Sequence, residues 1–180
     1  MLDKAYRLKS CWNRKKLYSR FDKRIALITG ASSRLGMGLA REFAKEYERL
    51  YIVARSTEKL EALREELRST CDVQVISADV GTKEGADNVL RTIEEVDLDL
   101  LVNNAGIQVK KNVSELTLMD SKKSMDVNYF ALVYLTSKLI ASGCKPKRVM
   151  NILSTTAMRE EERLAYIQQQ KQRYDASVGH

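Results

Sequence analysis

Apolar residues gather in five short blocks along the chain: Ile25–Ile28, Leu50–Ala54, Val73–Ser77, Leu98–Val102 and Val149–Leu153. Runs of this length fit strands buried on both faces, as in a parallel sheet. Between the blocks the apolar positions recur every three or four residues. Leu35, Leu39, Phe43 and Tyr47, with Ala40 and Ala44 beside them, mark a first helix. Ser56 or Thr57 can cap a second, with Leu60, Leu63 and Leu67 on one face and Glu and Arg on the other. A third starts near Thr82 and carries Ala86, Val89, Leu90, Ile93 and Val96. A long fourth covers roughly residues 118–141 and is closed by Gly143 and Pro146. Five strands alternating with four helices predict an α/β, doubly wound parallel sheet, because parallel neighbours need a crossover helix. Right-handed crossovers around a ligand crevice give the strand order 3-2-1-4-5.

The turn after the first block is where chemistry enters. Residues 25–38 read IALITGASSRLGMG, a strand, a glycine-containing turn and a helix start. Such a turn holds a phosphate with outward-pointing backbone N–H groups and the positive end of the helix dipole. Gly30 and Gly36 stand where a Cβ would block the turn or an approaching pyrophosphate.

Composition narrows the picture. The chain has 180 residues, enough for one domain with a real core. No apolar run approaches the ~20 residues of a membrane span, and no signal-peptide core is visible. Cys11, Cys71 and Cys144 are odd in number and widely spaced, which reads as free thiols in a reducing, cytoplasmic setting. The single histidine, His180, leaves no material for a histidine triad or zinc site, so no metal is expected. The formal net charge of +7 is local: residues 1–24 hold nine Lys/Arg and two Asp, and the remaining 22 basic and 22 acidic side chains cancel. Its apolar residues scatter around a helical wheel. Residues 1–24 therefore read as a basic, solvated arm, with contact to an anionic surface as the alternative. A specific nucleic-acid partner is not expected.

Ligands of doubly wound sheets lie at the carboxyl ends of the strands. Those ends read Thr29-Gly30, Arg55, Asp79-Val80, Asn103-Asn104-Ala105-Gly106 and Ser154. This set, in this order, resembles the short-chain dehydrogenase/reductase family over about residues 24–157, and N-N-A-G is its most specific part. The turn resembles the family's T-G-x-x-x-G-x-G with Arg34 at the middle glycine. Pteridine reductases of that family look like T-G-x-x-x-R-x-G and bind NADPH. The resemblance implies a Rossmann-like NAD(P)-binding domain over residues 25–157. It implies that Ser32, Arg34 and Leu35 line the phosphates, with Gly30 and Gly36 making room. Asp79 and Val80 would meet the adenine, and Asn104, Ala105 and Gly106 would pass the adenosine ribose. Asn128 matches the family's active-site asparagine, which bends its helix around a water in the proton relay. Ser154 matches the serine that hydrogen-bonds the substrate oxygen. The second strand ends in Ala54-Arg55-Ser56, with no carboxylate for a ribose 2′-hydroxyl and a fixed cation suited to a 2′-phosphate. NADP(H) is therefore expected over NAD(H), with Arg34 as a second phosphate partner.

The tail departs from the family pattern. The family places Tyr-x-x-x-Lys a dozen or so residues after the serine. Here Tyr166 is followed at the lysine position by Gln170, and Lys171 is one residue late, about 100° around a helix. Tyr174 has Val178 four residues on. Residues 158–180 read as a polar helical tail, and the family's last strands and substrate-binding loop have no counterpart in the sequence. The expectation is an NADP(H)-dependent oxidoreductase, truncated after the serine-bearing strand, with impaired hydride transfer between nicotinamide and a small carbonyl or alcohol substrate. A non-catalytic nucleotide-binding or interaction protein is the alternative, and a non-functional fragment is the third reading. A homo-oligomer is expected, through an apolar surface of Leu132, Tyr134, Leu135 and Leu139 on the fourth helix and through the open edge of the fifth strand.

Overall fold

The computed structural model describes residues 24–94, 96–142 and 146–153. Five strands, β1 (Ile25–Thr29), β2 (Arg49–Ala54), β3 (Asp72–Ser77), β4 (Leu100–Asn103) and β5 (Arg148–Asn151), form one sheet in the order β3-β2-β1-β4-β5. Every neighbouring pair is parallel. The crossovers carry α1 (Arg34–Ala44), α2 (Thr57–Leu67), α3 (Lys83–Thr92), α4 (Leu118–Met125) and α5 (Ala131–Ala141). The order is the one the alternation predicts, and the fold is a Rossmann-like doubly wound sheet.

Strand alternation sends successive side chains to opposite faces. Ala26, Ile28, Leu50 and Ile52 face α1 and α2, where Ala40, Ala44, Leu60 and Leu63 meet them. Leu27, Tyr51, Val53 and Leu101 face the other layer and pack on Val89, Ile93, Leu135 and Leu139. The central strands β1 and β4 and most of β2 are buried on both faces and are largely apolar, whereas the edge strands β3 and β5 alternate with polar or exposed positions.

Two expectations change. The fourth helix is one helical path with an interruption: Asp126–Phe130 is π-helical and joins α4 to α5. The apolar surface expected on it is also placed differently. Val127, Ala131, Leu135 and Leu139, four residues apart, turn inward and are at most 8% exposed. Tyr134 is half-buried, and its hydroxyl donates to Asp87 Oδ1 at 2.7 Å. The outward apolar residues are instead Tyr129, Phe130, Val133 and Ile140. The expected face shares only Leu135 and Leu139 with the buried stripe, because packing against the sheet decides which side of the helix is covered.

Candidate functional site

The carboxyl ends of β1, β2 and β4 and the turn after β3 converge on a cleft of about 200 Å³. Its floor is the β1 turn. Gly30 has φ 66°, and a Cβ there would lie 2.7 Å from Ala105 Cα. At Gly36 a Cβ would fall 2.3 Å from Gly30 O and 2.8 Å from Ala31 Cα. The two glycines therefore let the start of α1 press against the turn and the β4 loop. Ser33 caps α1, its Oγ accepting from Gly36 N at 3.0 Å. The remaining first-turn N–H groups and the helix dipole make this end of α1 suited to an anion.

Thr29 binds the floor to the opposite wall. Its hydroxyl donates to Val102 O at 3.2 Å and accepts from Asn104 N and Ala105 N, both at 3.0 Å. One donor and two acceptor sites are all that a hydroxyl has, and here all are used. The Asn104 side chain returns the link, donating to Thr29 O at 2.9 Å and Gly30 O at 3.1 Å. Asn103 reaches the other way, to Thr136 Oγ1 at 3.2 Å and Asn151 Oδ1 at 2.9 Å, tying β4 to α5 and β5. The Asn103 Oδ1 is itself buried, with no partner among the described residues.

Arg55 follows β2, and Asp79 follows β3. They are the one guanidinium and the one carboxylate among the residues lining the cleft, and they face each other at 3.8 Å. Asp79 also forms the turn into α3, its Oδ1 accepting from Gly81 N at 3.0 Å. That turn is tight: a Cβ on Gly85 would lie 2.0 Å from Asp79 O. Asn128 sits in the π-helical segment. Its Oδ1 accepts from Ile107 N at 2.8 Å, and its Nδ2 donates to Ile107 O at 2.9 Å and Ser124 Oγ at 3.2 Å. Asn128 is thus held through both its oxygen and its nitrogen by the loop after β4, within a π-helical turn of the kind often found at functional sites.

Gly30, Ser32, Arg55, Asp79, Val80, Asn104, Ala105 and Gly106 thus line one cleft. Gly36 is buried beneath it. Arg34 and Leu35 lie exposed on the first turn of α1 and are not among the lining residues. Ser154, Tyr166, Gln170 and Lys171 lie outside the described residues. The sequence reading named Thr29 only as a strand end, without its bonds, and gave no role to Ser33, Ile107 or Val127. A hydroxyl ending an otherwise apolar strand, and a serine three residues before Gly36, were signals for the first two. Ile107 lies in the loop after β4 and Val127 in the π-helical segment, and both line the cleft only because these distant segments meet there, which no local pattern records.

Cys71 is not a nucleophile of this site. It is buried, its thiol donates to Tyr47 O, and burial pushes its pKa up to about 11. Among the described residues no group of three His, Cys, Asp or Glu could hold a metal ion, and no helix is long and apolar enough to cross a membrane.

A doubly wound sheet with a glycine turn and four strand ends around one cleft defines a Rossmann-like nucleotide-binding class. Within that class, the chain belongs to the short chain dehydrogenase family, whose model matches residues 24–167. It is 35% identical over 141 residues to 11-beta-hydroxysteroid dehydrogenase-like 2 of Arabidopsis thaliana, covering 75% of this chain and 46% of that protein. The L-sorbose reductase of Gluconobacter frateurii, solved with NADPH and L-sorbose, superposes with a TM-score of 0.63 at 30% identity, over 67% of this chain and 48% of that one. The RhlG/NADP complex of Pseudomonas aeruginosa gives a TM-score of 0.69 at 28% identity, over 78% of this chain and 58% of that one. The chain spans about a third to a half of the length of these curated relatives.

Proposed function

We propose that residues 25–157 form an NAD(P)-binding domain that takes NADP(H) in preference to NAD(H), within an oxidoreductase of the carbonyl/alcohol type. Arg55 carries this reading: it is the one cation lining the cleft, at a strand end that offers no carboxylate to a 2′-hydroxyl. The floor of the cleft keeps its shape only with glycine at these positions, because a Cβ at Gly30 or Gly36 would strike backbone and displace it. In this reading Gly30, Ser32, Arg34, Leu35 and Gly36 surround the phosphates, Asp79 and Val80 meet the adenine, and Asn104, Ala105 and Gly106 pass the ribose. Bound NADPH supplies a hydride from nicotinamide C4 to a carbonyl carbon. Asn128 holds the loop that closes the nicotinamide end, Ser154 orients the substrate oxygen, and Tyr166 is the proton donor.

That last role is weak in this chain. A tyrosine hydroxyl titrates near pH 10 unless a cation favours its ionised form. Gln170 is neutral and supplies none. General acid/base catalysis typically contributes ~10²–10⁴-fold, so slow turnover is expected, and a non-catalytic nucleotide-binding role is the second reading. Residues 1–24 are a basic arm in this assignment and residues 158–180 a polar tail. A cytoplasmic, reducing setting fits the free, buried Cys71.

The test has two parts. Titration of NADPH and NADH into the full chain and into Arg55→Asp should show tighter binding of NADPH, lost on the substitution. Equal affinities for the two cofactors would sink the preference. NADPH oxidation with reactive ketones and aldehydes should be slow and should rise in Gln170→Lys. Fast turnover by the unmodified chain, abolished in Tyr166→Phe, would reverse the reading of the tail.

A further inference from the structure

The Arg55–Asp79 pair bears on how strongly the cleft discriminates, and the inference from it rests on the NADP(H) reading above. Arg55 has 61% of its side-chain surface exposed and Asp79 37%, and they approach to 3.8 Å across the rim. At this distance in partly solvated surroundings the attraction is modest, and the guanidinium remains free to take another anion. A ribose 2′-phosphate is such an anion, dianionic near neutral pH and matched to the planar fork of arginine. Asp79 and the phosphate therefore compete for one cation.

Asp79 is not held by Arg55 alone. Its Oδ1 accepts from Gly81 N, and its backbone O accepts from Thr82 N at 3.1 Å and Thr82 Oγ1 at 3.0 Å. The turn thus fixes the carboxylate in place whichever way the arginine points. Arg55 has the long side chain and the greater exposure, so it is the mobile member. We infer that Asp79 is a specificity-determining residue: by pairing with Arg55 it lowers the advantage of ligands with a 2′-phosphate over those with a free 2′-hydroxyl. The discrimination of this cleft is then graded, with a cation that favours the phosphate and an acid that restrains it.

The experiment compares adenosine 2′,5′-bisphosphate with adenosine 5′-monophosphate by calorimetric titration into the full chain. The variants are Asp79→Asn, Arg55→Ala and the double substitution. Asparagine keeps a carbonyl oxygen for Gly81 N, so the turn should persist, and thermal melts check this. Asp79→Ser, whose hydroxyl can also accept from that N–H, is a second variant. The affinity ratio of bisphosphate to monophosphate should fall in Arg55→Ala. It should rise roughly two- to fivefold in Asp79→Asn, the range an exposed pair can account for, and should not rise when Arg55 is already alanine. A ratio unmoved by Asp79→Asn but lowered by Arg55→Ala overturns the inference and leaves the NADP(H) reading standing. An equal rise with and without Arg55 also overturns it, because Asp79 would then act by direct repulsion. A ratio that Arg55→Ala leaves unchanged removes both.

Discussion

At the scale of single residues, neighbours determine how a side chain is tolerated more than its type does. Gly36 and Gly38 lie on the same helix two positions apart. A Cβ on Gly36 would strike Gly30 O at 2.3 Å, whereas one on Gly38 would have nothing within 4 Å. Gly36→Ala should therefore displace the floor of the cleft and abolish NADPH binding. Gly38→Ala should stabilise the fold by about 0.5–1 kcal/mol, the usual gain of alanine over glycine within a helix. Denaturant midpoints and cofactor titrations on the two variants separate these outcomes. Thr29 poses a related test. Its hydroxyl serves three backbone groups. Thr29→Val should cost about 1–3 kcal/mol by leaving the N–H groups of Asn104 and Ala105 unpaired, and should weaken NADPH binding with it. Thr29→Ser should keep most of both, and a valine variant as stable as the parent would contradict this account of the link.

At the scale of elements, α4 shows how a short helix outside the core is held. None of its residues is buried, and its start depends on a reciprocal cap between Thr117 and Asp120. Lys111 also donates to Asp120 Oδ2 at 2.7 Å. The Lys111 ammonium first, and the Thr117 hydroxyl and N–H after it, hold the Asp120 carboxyl well below the usual carboxylate range. A depressed folded-state value contributes stability that is complete above the unfolded value near 3.9 and is lost as pH falls below it. Helicity should therefore decline between about pH 5 and pH 2 more in the parent than in Asp120→Asn. Circular dichroism across that range checks it, and parallel curves would show that the carboxylate does not matter. Asp87 points the same way, lowered by Lys83 and Tyr134 where α3 meets α5.

At the scale of the whole molecule, several large apolar side chains stay exposed, Leu118 and Met119 on α4 among them. Tyr129, Phe130, Val133 and Ile140 present an apolar face along the π-segment and α5. On the described part of β5, Val149 is 41% exposed and Leu153, just beyond it, is 70% exposed. Such surfaces favour association with a second chain. A dimer or larger species is expected by light scattering at tens of micromolar. Val133→Asp with Phe130→Ser should shift it toward monomer while leaving the circular dichroism spectrum of the fold intact, since neither side chain lies in the core. A clean monomer from the parent chain would reject the association.

The pattern of residues was enough to determine the layers and the order of strands. Five apolar blocks between amphipathic segments admit few arrangements, because parallel neighbours require crossovers and crossovers have one hand. It also singled out Gly30, Arg55, Asp79 and Asn104–Gly106 at strand ends, residues that the fold brings to one cleft. What only the tertiary structure decided are relations between distant segments. The Thr29 link to the β4 loop spans more than seventy residues. The Arg55–Asp79 pairing arises because β2 and β3 are neighbours, paired in register as far as Ala54 and Ser77. The side of α5 that is buried depends on the insertion of a π-turn before it. Periodicity is a property of one segment, and these are contacts between two. Their energy is realised only once the sheet has brought the strand ends together.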